Sequence, residues 1–290
     1  MRFVGCSVAE RFVNPLFEVF DGGDFVLSSF RDIEEPLARM RIYLEERSDA
    51  DEAARRLSAA LAVVGVEAEI ERGEIADEDW KFAYRRHFKT EEIGRRLVSV
   101  PAWEPIPSGE RIPIVLDPGL AFGTGKHETT RACLEYLDEL SDEGAAGRSV
   151  LDMGCGSGIL SIAAAKLGFA PVVGFDVDRE AVDASLENAE KNGVSVDFRH
   201  FALGRGERLP GSADGFDLVV ANILGPLLIR FADEIVPYVR SRLIVSGILG
   251  ELYPDVLKAY ESRGFAEVSQ RTLGEWTTGL LIRREAGFMV

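Results

Sequence analysis

Val150-Leu151-Asp152-Met153-Gly154-Cys155-Gly156-Ser157-Gly158 is the stretch on which the reading of this chain turns. An apolar run ends in three glycines spaced by one residue. Ile159–Leu167 follows, built of helix-forming residues and free of proline. That is the layout of a first strand–helix unit, in which the backbone turns sharply and a ligand lies against bare main chain at a helix N-terminus. A second strand is expected over residues 171–176, ending in Asp176, 22 positions after Gly154. An acid at about that distance can accept hydrogen bonds from a ribose diol. The unit is read as a nucleoside site, with Asp176 toward the ribose.

The dinucleotide fingerprint wants Gly-x-Gly-x-x-Gly. Here the glycines are Gly154, Gly156 and Gly158, and Ile159 occupies the position of the third fingerprint glycine. The stretch instead resembles the Asp-x-Gly-x-Gly-x-Gly loop of class I S-adenosylmethionine methyltransferases, with Asp152 as its opening acid. The resemblance implies a loop that approaches the amino-acid half of the cofactor, with no pyrophosphate to house.

Composition sets the outer bounds. The 290 residues are 46% hydrophobic and 28% charged, enough for one large domain or two ordinary ones with sizeable cores. No apolar run approaches the roughly 18 residues of a membrane span, and Met1–Arg11 does not read as a signal peptide. Cys6, Cys133 and Cys155 form neither a disulfide framework nor a metal pair, so no metal is expected and a cytoplasmic protein is. The net charge of −16 disfavours nucleic acid as a direct partner. It suits a basic protein or an amine, through steering, although acidic soluble proteins are also common.

Residues 1 to about 75 have a grammar of their own. Strands are expected over 1–7, 25–29, 40–44 and 66–71, and helices over 10–20 and 50–64, with Pro15 an awkward fit in the first helix. Ser48 or Asp49 can cap the second helix and Gly65 can end it. The order βαββαβ suggests a small ferredoxin-like α+β domain. It contains no candidate nucleophile or metal cluster, which points to recognition rather than chemistry. Residues 74–87 open acidic and close basic, as a helix dipole favours, with Trp80 and Tyr84 on one face; His87 reads as a solvated or packed residue. Leu97–Val100 reads as a strand. Pro101, Pro105, Pro107, Gly109 and Pro113 then punctuate an extended stretch. The expected division is a recognition domain over 1–92, a linker over 93–113 and a catalytic domain over 114–290.

The segment from Val115 to Thr130 carries Asp117-Pro118-Gly119-Leu120-Ala121-Phe122-Gly123-Thr124-Gly125, then His127 and Thr129-Thr130, ahead of an amphipathic helix over 129–140. It is not a phosphate loop, because Gly119 and Gly125 lie one residue too far apart and His127 stands where Ser or Thr belongs. Nor does His127-Glu128 have the second histidine of a zinc-protease helix. The segment closely resembles PrmA, the methyltransferase family of ribosomal protein L11. The likeness continues through Asp152–Gly158, Asn188–Gly193, Val220–Leu224 and Ser246–Leu249, and upstream through Glu78–Trp80 and Val100–Glu104. Lys126 and Glu128 stand where that family usually has Thr and Pro, and Gly225 where it usually has Ala.

The rest of the chain alternates. Helices are expected over 180–192, 226–239 and 254–263, strands over 196–201, 216–222 and 242–246, and a closing antiparallel pair over 265–271 and 277–283. Alternation predicts a mostly parallel α/β sheet, Rossmann-like, and the resemblance adds the seven-stranded class I methyltransferase sheet. It also implies a protein N-methyltransferase using S-adenosylmethionine, with S-adenosylhomocysteine as product. The substrate would be free ribosomal protein L11, taken at its N-terminal amine and lysines by a monomeric enzyme. Carried over, Phe122, Gly123, Thr130, Asp152, Gly154, Gly156, Gly158, Asp176 and Asn222 meet the cofactor, Asp152 chiefly by ordering the loop. Asn222 and Phe122 are the catalytic pair. His127 is expected in a structural hydrogen bond rather than a proton shuttle, and His200 to pack on its strand. Three alternatives stand beside this reading. One is a lysine methyltransferase with another substrate, of the electron-transfer-flavoprotein type. The others are an NAD-dependent oxidoreductase, disfavoured by Ile159, and a non-catalytic module, disfavoured by the intact Asp152, Asp176 and Asn222.

Overall fold

The structure is a computed structural model that describes residues 2–20, 25, 27–30, 37–44, 49–74, 89–117, 127–212 and 214–284. The chain forms two compact units, residues 1–87 and 88–290.

In the first unit, β1 (Arg2–Ala9), β2 (Leu27–Phe30), β3 (Leu37–Leu44) and β4 (Glu71–Glu74) form an antiparallel sheet in the order β2-β3-β1-β4. With helices Val13–Val19 and Ala50–Val64 this is the ferredoxin-like arrangement. Period-two patterning decides the faces: Val4, Cys6 and Val8 of β1 and Ala38, Met40, Ile42 and Leu44 of β3 join one core with Leu16, Leu57 and Leu61 of the helices. The Asp49 carboxylate caps the second helix, accepting from the N–H groups of Asp51 and Glu52, and Gly65 closes it in the left-handed region. A 3-10 turn over Glu10–Phe12 precedes the first helix, so Pro15 falls in its first turn, where its missing N–H would have no intrahelical acceptor. The last strand sits later than residues 66–71: Val66, Ala68 and Ile70 pack on the core, but the ladder with β1 begins at Glu71. Residues 75–88, with Trp80, Tyr84 and His87, lie outside the described residues.

The second unit holds a seven-stranded sheet in the order β10-β9-β8-β11-β12-β14-β13. Its strands are β8 (Val150–Met153), β9 (Val172–Asp176), β10 (Asp197–His200), β11 (Phe216–Asn222), β12 (Val239–Leu249), β13 (Phe265–Leu273) and β14 (Trp276–Arg283). The first five run parallel; β14 is antiparallel to β12 and β13 to β14. Two apolar layers flank it, which explains the near-continuous hydrophobic runs in the parallel strands. Leu218 and Val220 of β11 face the layer with helices Glu128–Asp142, Ile159–Lys166 and Arg179–Asn192. Val219 and Ala221 face the layer with Gly225–Arg230, Ala232–Ile235 and Tyr253–Glu261. The single helix expected over 226–239 is broken, because Phe231 leaves helical geometry and Val236–Tyr238 forms a 3-10 turn around Pro237.

Residues 93–113, read from sequence as a linker, contain strands of a small separate sheet. β5 (Glu91–Ile93) pairs antiparallel with β6 (Leu97–Pro101), which pairs in parallel with β7 (Ile112–Leu116). The prolines fit because β7 lies at the sheet's edge, where Pro113 can be accommodated, and the others lie at the end of β6 or in the connection beyond it. Asp138, fully buried on helix 128–142, holds this sheet. It accepts the N–H groups of Arg95 and Arg96 at 2.7 and 3.2 Å and pairs with the Arg96 guanidinium at 2.6 Å. Burial works to raise its pKa, but these bonds outweigh that and hold the carboxyl below its ordinary value. Asp138→Ala should cost about 2–3 kcal/mol in urea unfolding, the usual loss for a buried carboxylate bonded to a charge and to main chain. A depressed pKa gives stability that is present above the ordinary carboxylate range and is lost as pH falls through the folded-state value. The gap between wild type and variant should therefore shrink on acidification below about pH 4.

Candidate functional site

The strand order reverses at β8, whose neighbours are β9 and β11, and the open crevice of an α/β sheet lies at such a switch point. Register aligns the candidates there. Met153 pairs with Phe175 on one side and Ala221 on the other, and Asn222 pairs with Ser246. Gly154, Asp176 and Asn222 thus leave the C-terminal ends of three adjacent strands in one row, and Ser246 of the longer β12 lies level with them.

The glycine loop is turned toward the end of β9. The N–H groups of Gly154 and Cys155 both donate to the Phe175 carbonyl, at 2.9 and 3.0 Å, and that of Gly156 donates to Asp176 Oδ2 at 2.9 Å. Asp176 Oδ1 accepts from the N–H of Asp178. A carboxylate offers about four acceptor positions, so Asp176 keeps capacity for further donors. Gly154 and Gly158 have φ of +74° and +80°, and a Cβ on either would meet Ile223 or Ser185 under 3.0 Å. Only glycine suits both the turn and the close approach.

Asp152 stands behind the loop with no exposed surface. Its Oδ2 accepts the Ser161 hydroxyl at 2.7 Å and the Ser161 N–H at 3.1 Å, in the first turn of helix 159–166, while Oδ1 is buried without a partner. Burial pushes its pKa up from 3.8 to about 6; the Ser161 bonds oppose the rise and the Asp176 charge adds to it. Asp152 therefore ties the end of β8 to the helix that follows the loop.

A cavity of about 400 Å³ opens beside Asn222, lined by His127, Thr129, Ile223, Leu224, Leu227, Gly247 and Trp276. Its walls are largely apolar. The Asn222 amide Nδ2 reaches toward the Thr130 hydroxyl at 3.5 Å, and its Oδ1 is buried without a partner. His127 caps helix 128–142: Nδ1 lies 2.8 Å from the Thr129 hydroxyl and accepts the Thr129 N–H at 3.4 Å, and the ring meets Trp276 edge-on at 5.1 Å. Gly247 forms a bulge in β12 with φ of +79°, and a Cβ there would lie 2.5 Å from the Ile223 carbonyl oxygen. The main chain after Asn222 is thus seated directly on bare backbone.

Thr130, Asp152, Gly154, Gly156, Gly158, Asp176 and Asn222 all fall at this edge, whereas Phe122 and Gly123 lie outside the described residues. His200 does not pack: it is exposed, and its Nε2 lies 2.9 Å from the Val177 carbonyl, because the strand ends there. Leu224, Leu227 and Trp276 were missed. Their sequence signals, a helix start and a hairpin turn, carry no chemistry of their own. A nucleoside carrying an amino-acid tail matches what is present: the row of strand ends, the close backbone approach and the orphaned Oδ1 of Asn222. No group of three or more His, Cys, Asp or Glu suited to a metal occurs among the described residues, and no helix among them is long and apolar enough to cross a membrane.

Comparison with known proteins gives consistent matches. The family model "Ribosomal protein L11 methyltransferase (PrmA)" matches residues 26–284. A ribosomal protein L11 methyltransferase of Pseudomonas paraeruginosa is 42% identical over 217 residues, 74% of this chain and 71% of that protein. One from Syntrophotalea carbinolica is 39% identical over 257 residues, 85% of this chain and 81% of its own length. Among solved structures, a ribosomal protein L11 methylase of Lactobacillus delbrueckii subsp. bulgaricus superposes with a TM-score of 0.59 at 32% identity. The match covers 68% of this chain and all of that one.

The buried Asp152 generates a pH-dependent expectation. Its folded-state pKa lies above its unfolded one, so the folded chain holds the extra proton between about pH 4 and 6, and stability falls as pH rises through that window. From pH 4.5 to 7.5 this one group should cost about 2 kcal/mol. In Asp152→Asn that share of the loss should vanish, which urea melts of both proteins at the two pH values measure.

Proposed function

Because the chain belongs to the ribosomal protein L11 methyltransferase (PrmA) family, we propose that it methylates the N-terminal amine and lysine side chains of ribosomal protein L11. S-adenosylmethionine is the methyl donor and S-adenosylhomocysteine the product. The observation that carries the chemistry is the buried, unpartnered Oδ1 of Asn222 beside a mostly apolar cavity at the switch point.

The glycine loop, Asp176 and Thr130 would hold the cofactor, with Asp152 fixing the loop from behind. Bound there, S-adenosylmethionine supplies a methyl group already activated on a sulfonium, so the protein needs chiefly to position the acceptor. Ile223, Leu224, Leu227 and Trp276 give the cavity its apolar wall. They accept an alkyl stem and disfavour a charged ammonium, which favours the neutral amine that has a lone pair to give. Asn222 Oδ1 then accepts an N–H of that amine and aims its lone pair, and the main chain after Asn222, held on Gly247, keeps the acceptor in place. The amine releases one proton to solvent before transfer and the new ammonium releases another after it, so no strong base is required of the site. His127, engaged with Thr129, is assigned to capping rather than to proton transfer. The ferredoxin-like unit is assigned to substrate recognition, and the net charge of −16 suits a basic ribosomal protein.

Labelled S-adenosylmethionine and free ribosomal protein L11, with mass mapping of the product, test the whole reading. Methyl groups should appear on its N-terminus and lysines. Asn222→Ala should lower kcat on the order of a hundredfold, as for loss of one preorganised hydrogen bond, with a smaller change in cofactor KM. Cofactor binding without transfer to that protein would assign the enzyme another protein substrate, and absence of cofactor binding would overturn the proposal.

A further inference from the structure

Helix 179–192 touches the glycine loop and the small sheet along one face. Ser185, Asn188 and Asn192, three and four residues apart, share that face. Ser185 abuts Gly158, where no Cβ could fit. The two asparagines face the outer edge of β7, where a further strand would otherwise pair. Asn192 Oδ1 accepts the Val115 N–H at 2.9 Å and its Nδ2 donates to the Val115 carbonyl at 2.6 Å. Asn188 treats Asp117 in the same way, at 3.0 and 3.4 Å. The spacing works because four helical residues rise about 6 Å and two strand residues about 6.6 Å. Two side-chain amides thus do for this edge what a neighbouring strand would do.

The two amides differ in where their remaining N–H goes. Asn192 returns it to its own helix, at the Asn188 carbonyl, 2.8 Å away. Asn188, which is fully buried, gives it to the carbonyl of Ser157 inside the glycine loop, at 3.0 Å. One carboxamide therefore ties the strand end at Asp117 to the middle of the loop, across 31 and 71 residues of sequence. Gly156, beside that tie, already sends its N–H to Asp176, so the loop is held from two directions.

We propose that Asn188 is a positioning residue for the methyl-transfer reaction: through its bond to the Ser157 carbonyl it fixes the glycine loop in the shape that receives the cofactor. The inference rests on the reading of 154–158 as the cofactor loop. It sets Asn188 apart from Asn192, which holds the same strand edge without reaching the loop. Asn192 is accordingly the internal control.

The test compares Asn188→Ala with Asn192→Ala in the full chain. Amide hydrogen exchange of residues 154–158, read without cofactor, should quicken at least tenfold in Asn188→Ala and stay within twofold of wild type in Asn192→Ala. Calorimetric titration with S-adenosylhomocysteine should show affinity about tenfold weaker for Asn188→Ala alone. KM for S-adenosylmethionine should rise to match, with kcat within threefold of wild type. If Asn188→Ala does not fold, Asn188→Leu against Asn192→Leu serves instead. The near-isosteric side chain fills the space of the amide but has no donor for Ser157, so the same split is expected. Equal exchange and equal affinity in the two members of a pair would overturn the inference and leave both asparagines as strand anchors. Failure of the wild-type chain to bind S-adenosylhomocysteine would instead strike the cofactor reading, while the exchange comparison would still decide whether Asn188 shapes the loop.

Discussion

The ligand edge depends on one tight passage, from the end of β8 at Met153 to the start of a helix at Ile159. Five residues must reverse the chain, expose main chain to a ligand and let the next helix pack closely. Glycine at 154 and 158 removes the steric obstacle, but glycine alone would leave the loop conformationally loose. The surroundings supply what glycine cannot. The Phe175 carbonyl and the Asp176 carboxylate take the first three N–H groups of the loop, Asp152 seizes the following helix at Ser161, and the Asn188 amide holds the Ser157 carbonyl. Each of these partners is buried or half-buried, where an unmade bond is costly. These partners hold the passage chiefly by its main chain.

The cavity beside Asn222 follows from the same geometry one strand over. Parallel register brings Asn222 level with Asp176, and the bulge at Gly247 lets the backbone of Ile223 rest against β12. The Ile223 side chain reaches the open face of Gly154, so one residue links the floor of the cavity with the glycine loop. Apolar walls around one orphaned amide oxygen form an environment that penalises charge and rewards a single well-placed N–H. That combination suits a reaction whose donor is already reactive and whose acceptor must arrive neutral.

Much of the architecture was legible from the chain. Period-two patterning in β1 and β3, the Asp49 and Gly65 caps and the glycine loop all act within a few residues, where local sterics and hydrogen bonding leave few options. The misreadings have equally local explanations. Prolines around 101–113 look like a linker until β7 is seen to be an edge strand with asparagine side chains along its free side. Residues 226–239 have helical composition, yet the helix breaks at Phe231 and again around Pro237.

The sequence by itself determined the βαββαβ order of the first unit, the strand–helix alternation from Val150 onward and the glycine turn at 154–158, because each of these is written in spacing and residue type over short range. The tertiary structure alone decided which distant groups meet. Asp138 finds Arg96 over 42 residues, Asn188 finds Asp117 over 71, and the cavity draws on positions from His127 to Trp276. Such partnerships are set by sheet order and register, and those arise from burying both faces of a sheet at once. No local window of the chain encodes that requirement.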